Sequence, residues 1–215
     1  MQRWLWLLAL GLAPCNGYAD DPKTPPAQKE SSKTADSAKD EFAAIQKEWQ
    51  TQQMAFRKKY EETKSQEDKQ KLFQTDYPKA GALAERCLAL AEKWPDAPEA
   101  VDALFWALVN DQSDTTSKKG TEQLKKVWLE KTSLDDINKK LARNPYLPSG
   151  DLHQALLQRA EKADKDPKVI SLLMWVNRQG QYDPRGATNA KKAQELILTK
   201  FIDAKEIGQL CMGMG

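Results

Sequence analysis

The chain repeats itself at an interval of 69 residues: Ala91-Glu92-Lys93, Pro98 and Trp106 return as Ala160-Glu161-Lys162, Pro167 and Trp175, and Leu141 returns as Leu210. A unit copied with its apolar positions kept and its loops varied is the pattern of stacked supersecondary units, each covering a hydrophobic face that its neighbour cannot bury alone. Within each copy the apolar residues fall three and four apart, the spacing of one helix face. No stretch shows the sustained alternation rich in Val, Ile and Thr that marks a strand. The expected fold is all-α: antiparallel helical hairpins stacked as a short solenoid around one contiguous core, preceded by one long amphipathic helix. Together these form a helical-repeat domain over residues 39–215, with copies at about 78–146 and 147–215.

Ahead of the copies, Phe42, Ile45, Trp49, Phe56 and Tyr60 share one face of a long helix. A shorter helix through Leu72 and Phe73 ends before Tyr77-Pro78, because the residue preceding proline is pushed out of the helical region. The first copy opens with a helix burying Leu83, Cys87, Leu88 and Ala91. It stops at Pro95; Asp96 is the expected cap of the next helix, whose first turn holds Pro98, where a missing amide hydrogen costs nothing. That partner buries Val101, Leu104, Phe105 and Leu108. A polar loop is expected over 110–120, then a helix presenting Leu124, Val127 and Trp128. Ser133 and Asp136 form a capping-box-like start for a fourth helix through Leu134, Ile137 and Leu141. In the second copy, Ser149 or Asp151 caps a helix carrying Leu152, Leu156 and Ala160. Ile170, Leu173, Met174 and Trp175 follow, then Ala193, Leu196 and Ile197, and a last helix begins at Asp203 with Ile207, Leu210 and Cys211.

Residues 1–19 pair a positive start at Arg3 with an apolar run from Trp4 to Leu12 and small residues at Gly17 and Ala19, which predicts a cleaved secretory signal. The run is shorter than the roughly 20 residues needed to span hydrocarbon, so no integral membrane segment is expected. Leu12-Ala13-Pro14-Cys15 only partly matches a lipoprotein signal, because Pro14 stands where a small residue belongs. Residues 20–38 hold no large apolar side chain and read as a disordered linker. The expected location is outside the cytoplasm, periplasmic or extracellular.

Lys and Arg number 33 against 31 Asp and Glu, for a net charge of +2. Loss of residues 1–19 would remove Arg3 and no acid. The signs are interleaved along solvated helix faces, which argues against nucleic acid as a partner; a protein is the expected partner. Past the signal stand two cysteines, Cys87 and Cys211, each among apolar residues at helical spacing. They read as buried free thiols, with a structural bridge or redox role as the alternative; neither belongs to a Cys-x-x-Cys pair. His153 is the single histidine, and beside Ser149 and Asp151 it reads as an exposed first-turn residue of a capped helix, not as one member of a triad. Neighbouring acids such as Asp135-Asp136 belong to caps. No catalytic, cofactor-binding or metal-ligating residue is assigned, and no cofactor is expected. Among the tryptophans, Trp106 and Trp175 read as equivalent core slots, while Trp94 and Trp128 are candidates for a binding surface.

The run Ala91-Glu92-Lys93-Trp94-Pro95-Asp96-Ala97-Pro98-Glu99-Ala100 resembles the junction between tetratricopeptide-type helices, and 69 is about twice that repeat's 34-residue period. Phe56-Arg57-Lys58-Lys59-Tyr60, Lys71-Leu72-Phe73-Gln74, Tyr77-Pro78 and the 95–106 segment are similar to the helical N-terminal region of exported bacterial thioredoxin-like (TlpA-type, redoxin) proteins. In that family a thioredoxin domain with its Cys-x-x-Cys follows the helices. Here the sequence reaches Gly213-Met214-Gly215 without one, so the resemblance implies a helical accessory region and not a redox activity. The expected function is a non-enzymatic interaction or scaffold module of the cell envelope; the alternative is an accessory part of a thiol–disulfide exchange system.

Overall fold

The computed structural model describes residues 28–163, 166–182 and 186–201. The predicted signal, Cys15, the last helix and Cys211 lie outside them. All the described residues in regular structure are helical, and no strand occurs among them. In chain order the elements are α1 (Gln28–Glu62), α2 (Gln66–Thr75), α3 (Gly81–Lys93), α4 (Pro98–Asn110), α5 (Asp114–Leu124) with a π-helical turn over Lys125–Leu129, α6 (Leu134–Ala142), α7 (Gly150–Lys162), α8 (Lys168–Tyr182) and α9 (Ala187–Lys200).

α3 packs along α4, α5 lies against both, and α7 packs on α5, α8 and α9. α6 packs on α8, and α1 lies across α3 and α4. The apolar interior is not the one contiguous core expected; it falls into two clusters. The larger runs from Leu88 on α3 through Leu104, Leu124, Ile137, Leu156 and Leu173 to Phe201. The smaller joins Phe42, Ile45 and Trp49 of α1 to Leu83, Ala84, Cys87 and Leu90 of α3 and to Ala103 and Ala107 of α4. The reason is compositional: α3 and α4 carry apolar residues on two opposite sides, with alanines on the α1 side that let the bulky α1 residues approach.

Local chemistry sets most boundaries. Ser133 accepts from the amide of Asp136 and opens α6; Ser149 does the same for Leu152 and opens α7. Each such cap is worth about 1 kcal/mol. At α4 the cap position is Ala97, with Pro98 opening the helix and no side-chain bond from Asp96. Two expected boundaries shift. α1 begins at Gln28, inside the segment expected as linker: after Pro26 there is no further helix breaker, and a run of Lys, Glu, Ala and Ser has no obstacle to helix. α5 begins at Asp114, inside the expected polar loop. Ser113 caps it, and Asp111 accepts from the hydroxyls of Ser113 (2.9 Å) and Thr116 (2.6 Å). Of its four buried residues, Thr116, Gly120 and Thr121 are neither large nor apolar, and only Leu124 at its end is both.

The 144–149 connector between the copies is held from α8. Gln179 is buried; its amide donates to Pro145 O at 2.7 Å and its carbonyl accepts from Leu147 N at 3.1 Å. Trp175 donates its indole N–H to Leu141 O at 3.1 Å. Trp106, its counterpart one copy earlier, is only half-buried, packed on the smaller cluster. The two tryptophans occupy equivalent sequence positions and different environments.

α8 and α9 approach closely at Gly180, where a Cβ would collide with the Cβ of Ala190 and come within 3.1 Å of Gly186 O. Helix propensity alone would favour alanine there by about 1 kcal/mol. The contact reverses the sign, so Gly180→Ala is expected to destabilise the fold by about 1–3 kcal/mol. Urea unfolding of Gly180→Ala, Ala190→Gly and the double variant checks this: the double variant should be more stable than the two single effects summed, and strict additivity would show that the helices do not meet here.

Candidate functional site

Two surfaces stand out, and α1 contributes to both. The first lies at the far end of α1. Beyond Trp49 the apolar seam continues through Phe56 and Tyr60, but neither α3 nor α4 covers it; α2 and the Tyr77 turn do. Phe73 and Tyr77 stack with ring centres 4.8 Å apart. Phe56 meets both edge-on, at 5.7 and 5.3 Å, and sits 6.1 Å from Tyr60. Lys69 places its ammonium 5.1 Å over the Tyr60 ring. The turn is tied down by Lys59 and Asp76 at 3.2 Å. A hydrogen bond from Thr75 and then the Lys59 ammonium hold the Asp76 carboxyl below its ordinary value. The rings nonetheless face outward: Phe73 is 47% and Tyr77 41% exposed, and α2 buries none of its ten residues. A helix of that length is marginal by itself in water, so this aromatic platform is α2's main attachment.

The second surface is a cleft of about 290 Å³ between α1, α4 and α6. α4 supplies Asp102, Phe105, Trp106, Val109 and Asn110, which fall on one helix face; α1 adds Phe42 and Gln46, and α6 with its following turn adds Lys140 and Asn144. Asp102 and Lys140 form an ion pair across it. The Lys140 ammonium also lies 5.4 Å over the Phe105 ring. Burial, and then the nearby Arg143 charge, lower the Lys140 pKa from its ordinary value. Trp106 is fixed by an edge-to-face contact with Trp49 at 5.8 Å and 90°.

The residues singled out in the sequence are placed elsewhere. Trp128 is 7% exposed and set edge-on to Phe105 at 5.2 Å, a core residue and not a binding surface. The π-helical turn produces this: the amide of Glu130 reaches back five residues to Lys125 O at 3.1 Å, which brings both Trp128 and Leu129 inside. Trp94 is half-buried against the smaller cluster, with the Lys93 ammonium 3.9 Å over its ring and Lys93 also 3.5 Å from Glu41; it belongs to neither surface. His153 is fully buried, not exposed at a first turn. Its Nε2 lies 2.8 Å from Leu147 O and its ring meets Trp175 edge-on at 5.7 Å. It fastens the connector beside Gln179, and Ser149 and Asp151 pair instead with Ser117, at 2.9 and 2.8 Å.

Cys87 is a free, fully buried thiol. Burial pushes its pKa up to about 12, against a small opposing effect of Arg86. The thiolate is the nucleophile in exchange chemistry, so Cys87 is poorly suited to that role. No group of three or more His, Cys, Asp or Glu side chains that could hold a metal ion occurs among the described residues. None of the described helices is long and apolar enough to cross a membrane. No protein-family model matches the chain, and no curated protein or solved structure is significantly similar to it.

The platform and cleft were missed because they are assembled from pieces that look ordinary one at a time. The one available signal was the continuation of the α1 seam past Trp49 through Phe56 and Tyr60, which pairs with Phe73 and Tyr77 at a matching separation of four. The thiol gives a direct check. Cys87 should stay unreactive toward a disulfide reagent in the native protein and react on denaturation, read by peptide mass. Between pH 9 and about 12 the unfolded chain ionises Cys87 and the native fold does not, so stability is lost as pH rises through that window. Cys87→Ala should flatten this part of the alkaline stability profile; an unchanged slope would show that the thiol is not held protonated.

Proposed function

We propose that this protein is an exported, non-enzymatic helical interaction module that docks a partner protein on the aromatic platform of α1 and α2. Its body is read as tetratricopeptide-like hairpins, a scaffold holding the platform away from the stack. What supports the hairpin reading is the order of packing, α3 with α4, α5 against both and α7 next, together with hydrogen bonds between residues 34 apart, Leu141 to Trp175 and Pro145 to Gln179. The observation that carries the docking reading is α2 itself, a ten-residue helix with no buried residue, whose one aromatic side chain, Phe73, is half open to solvent together with Tyr77 just beyond it. Exposed aromatic clusters rimmed by polar residues are the composition of protein-binding hot spots, where a few rings contribute most of the affinity. Lys59, Lys69 and Asp76 at the margin supply the polar rim.

The test is site-specific crosslinking in an envelope extract from the producing cells. A photoreactive side chain at Tyr77 should capture a defined partner that the same group at Leu198, exposed on α9, does not. Phe73→Ala with Tyr77→Ala should weaken capture by at least about tenfold while leaving the helical circular dichroism and the unfolding midpoint of the stacked body in place. Equal capture from Leu198, or full capture by the double variant, would end the reading.

A further inference from the structure

The cleft between α1, α4 and α6 shares no residue with the aromatic platform and has a different chemistry. We propose that it binds a neutral saccharide, seating one pyranose ring. Size comes first: about 290 Å³ lies at the lower edge of ligand pockets, which run from roughly 300 to 1,000 Å³. That is room for a single six-membered ring with its hydroxyls, and too little for a nucleotide or a large cofactor.

Charge narrows the class. The two ionic groups in the cleft, Asp102 and Lys140, already neutralise each other. A phosphate would meet Asp102 and an ammonium would meet Lys140, so an uncharged ligand is favoured. The remaining polar groups are the Trp106 indole N–H and the carboxamides of Gln46, Asn110 and Asn144, each carboxamide a donor and an acceptor at once. Asn110 donates its Nδ2 to Trp106 O at 2.8 Å, and Asn144 donates its Nδ2 to Lys140 O at 2.9 Å. Each amide is thus fixed by the carbonyl four residues earlier in its own chain, and among the described residues neither Oδ1 takes up a hydrogen bond. Two oriented acceptors, with the Asp102–Lys140 pair beside them, suit a ligand rich in hydroxyls. An apolar side chain in the same space would cover these groups without satisfying them, at a cost of about 1–3 kcal/mol each.

The apolar wall completes the match. Trp106, half-buried, provides flat aromatic surface for the C–H face of a sugar ring, with the nearly buried Phe42 beside it. Because Trp49 already pins Trp106 edge-to-face, little side-chain ordering is needed when a ligand arrives.

The experiment titrates the isotopically labelled full chain with maltose and, separately, with the N-acetylglucosamine disaccharide, followed by the side-chain amide signals of Asn110 and Asn144 and the Trp106 indole. Saturable shifts of these signals with at least one sugar are expected. Asn110→Ala with Asn144→Ala should weaken binding about tenfold at an unchanged unfolding midpoint, the loss of one or two neutral hydrogen bonds. Absence of saturable shifts with both sugars, or equal affinity in the double variant, would overturn the proposal. So would saturation by the peptide Gly-Phe-Gly in place of the sugars, which would reassign the cleft to polypeptide. These results are read apart from platform docking, since Phe56, Tyr60, Phe73 and Tyr77 do not line the cleft.

Discussion

Everything in this fold is arranged around one constraint: the α3–α4 pair is apolar on two opposite sides. Leu88, Ala91, Leu104, Phe105 and Leu108 face the stack of later helices, while Leu83, Ala84, Cys87, Leu90, Ala103 and Ala107 face away from it. A pair of helices with a single apolar stripe could end a stack by turning its polar face to water. This pair cannot, because its second face would expose a broad hydrophobic patch. α1 covers that face with Phe42, Ile45 and Trp49. The peripheral ion pairs from α1 to α3, Arg86 to Glu48 at 2.5 Å and Lys93 to Glu41 at 3.5 Å, are exposed and add little beyond orientation. Apolar burial holds α1 in place, and the position of α1 in turn creates both candidate surfaces.

The other half of the fold depends on backbone groups satisfied at a distance. The connector between the copies has Leu147, Pro148 and Ser149 inside, and a buried irregular segment must find partners for its amides and carbonyls. Gln179, His153 and Trp175 engage it or the end of α6 just before it. Polar side chains that a sequence reading assigns to solvent are here the means by which an irregular segment can be buried at all. This is why the single histidine lies in the interior: an imidazole is apolar enough to pack against Trp175 and polar enough to meet Leu147 O.

The helical class, the pairing of α3 with α4, the Ser133 and Ser149 caps and most large core residues were legible, because each rests on local spacing or a local hydrogen bond; Leu90, Leu129, Leu147, Leu157, Leu172 and Phe201 are buried without having been expected there. What escaped was set by tertiary context. α5 hides behind Thr116, Gly120 and Thr121, whose small size is what permits close approach to α4: a Cβ on Gly120 would come 3.0 Å from Leu108. Periodicity registers large apolar residues and is blind to a face made of small ones. Trp128 looked like a surface residue because its counterpart 69 positions on is Ile197, but a π-helical turn with no distinguishing composition draws it inward. The candidate surfaces escaped for the same reason, since the cleft joins residues from Phe42 to Asn144 and the platform joins a helix end to a turn seventeen residues away.

The two surfaces lie on one rod. Gln46 at the cleft and Tyr60 at the platform are fourteen residues apart on an uninterrupted helix, about 21 Å at 1.5 Å per residue. A rigid helix could couple them only by shifting as a whole, and Phe42, Ile45 and Trp49 seat it in a close-packed interface that resists sliding. Trp49 is the point of contact, since it ends the buried half of the seam and also pins Trp106 in the cleft wall. Ordering of α2 by a docked partner would be absorbed by α2, which is attached through its aromatic rings and buries nothing else. The geometry therefore favours two surfaces that act independently. A link between them would have to pass through the seat of Trp49.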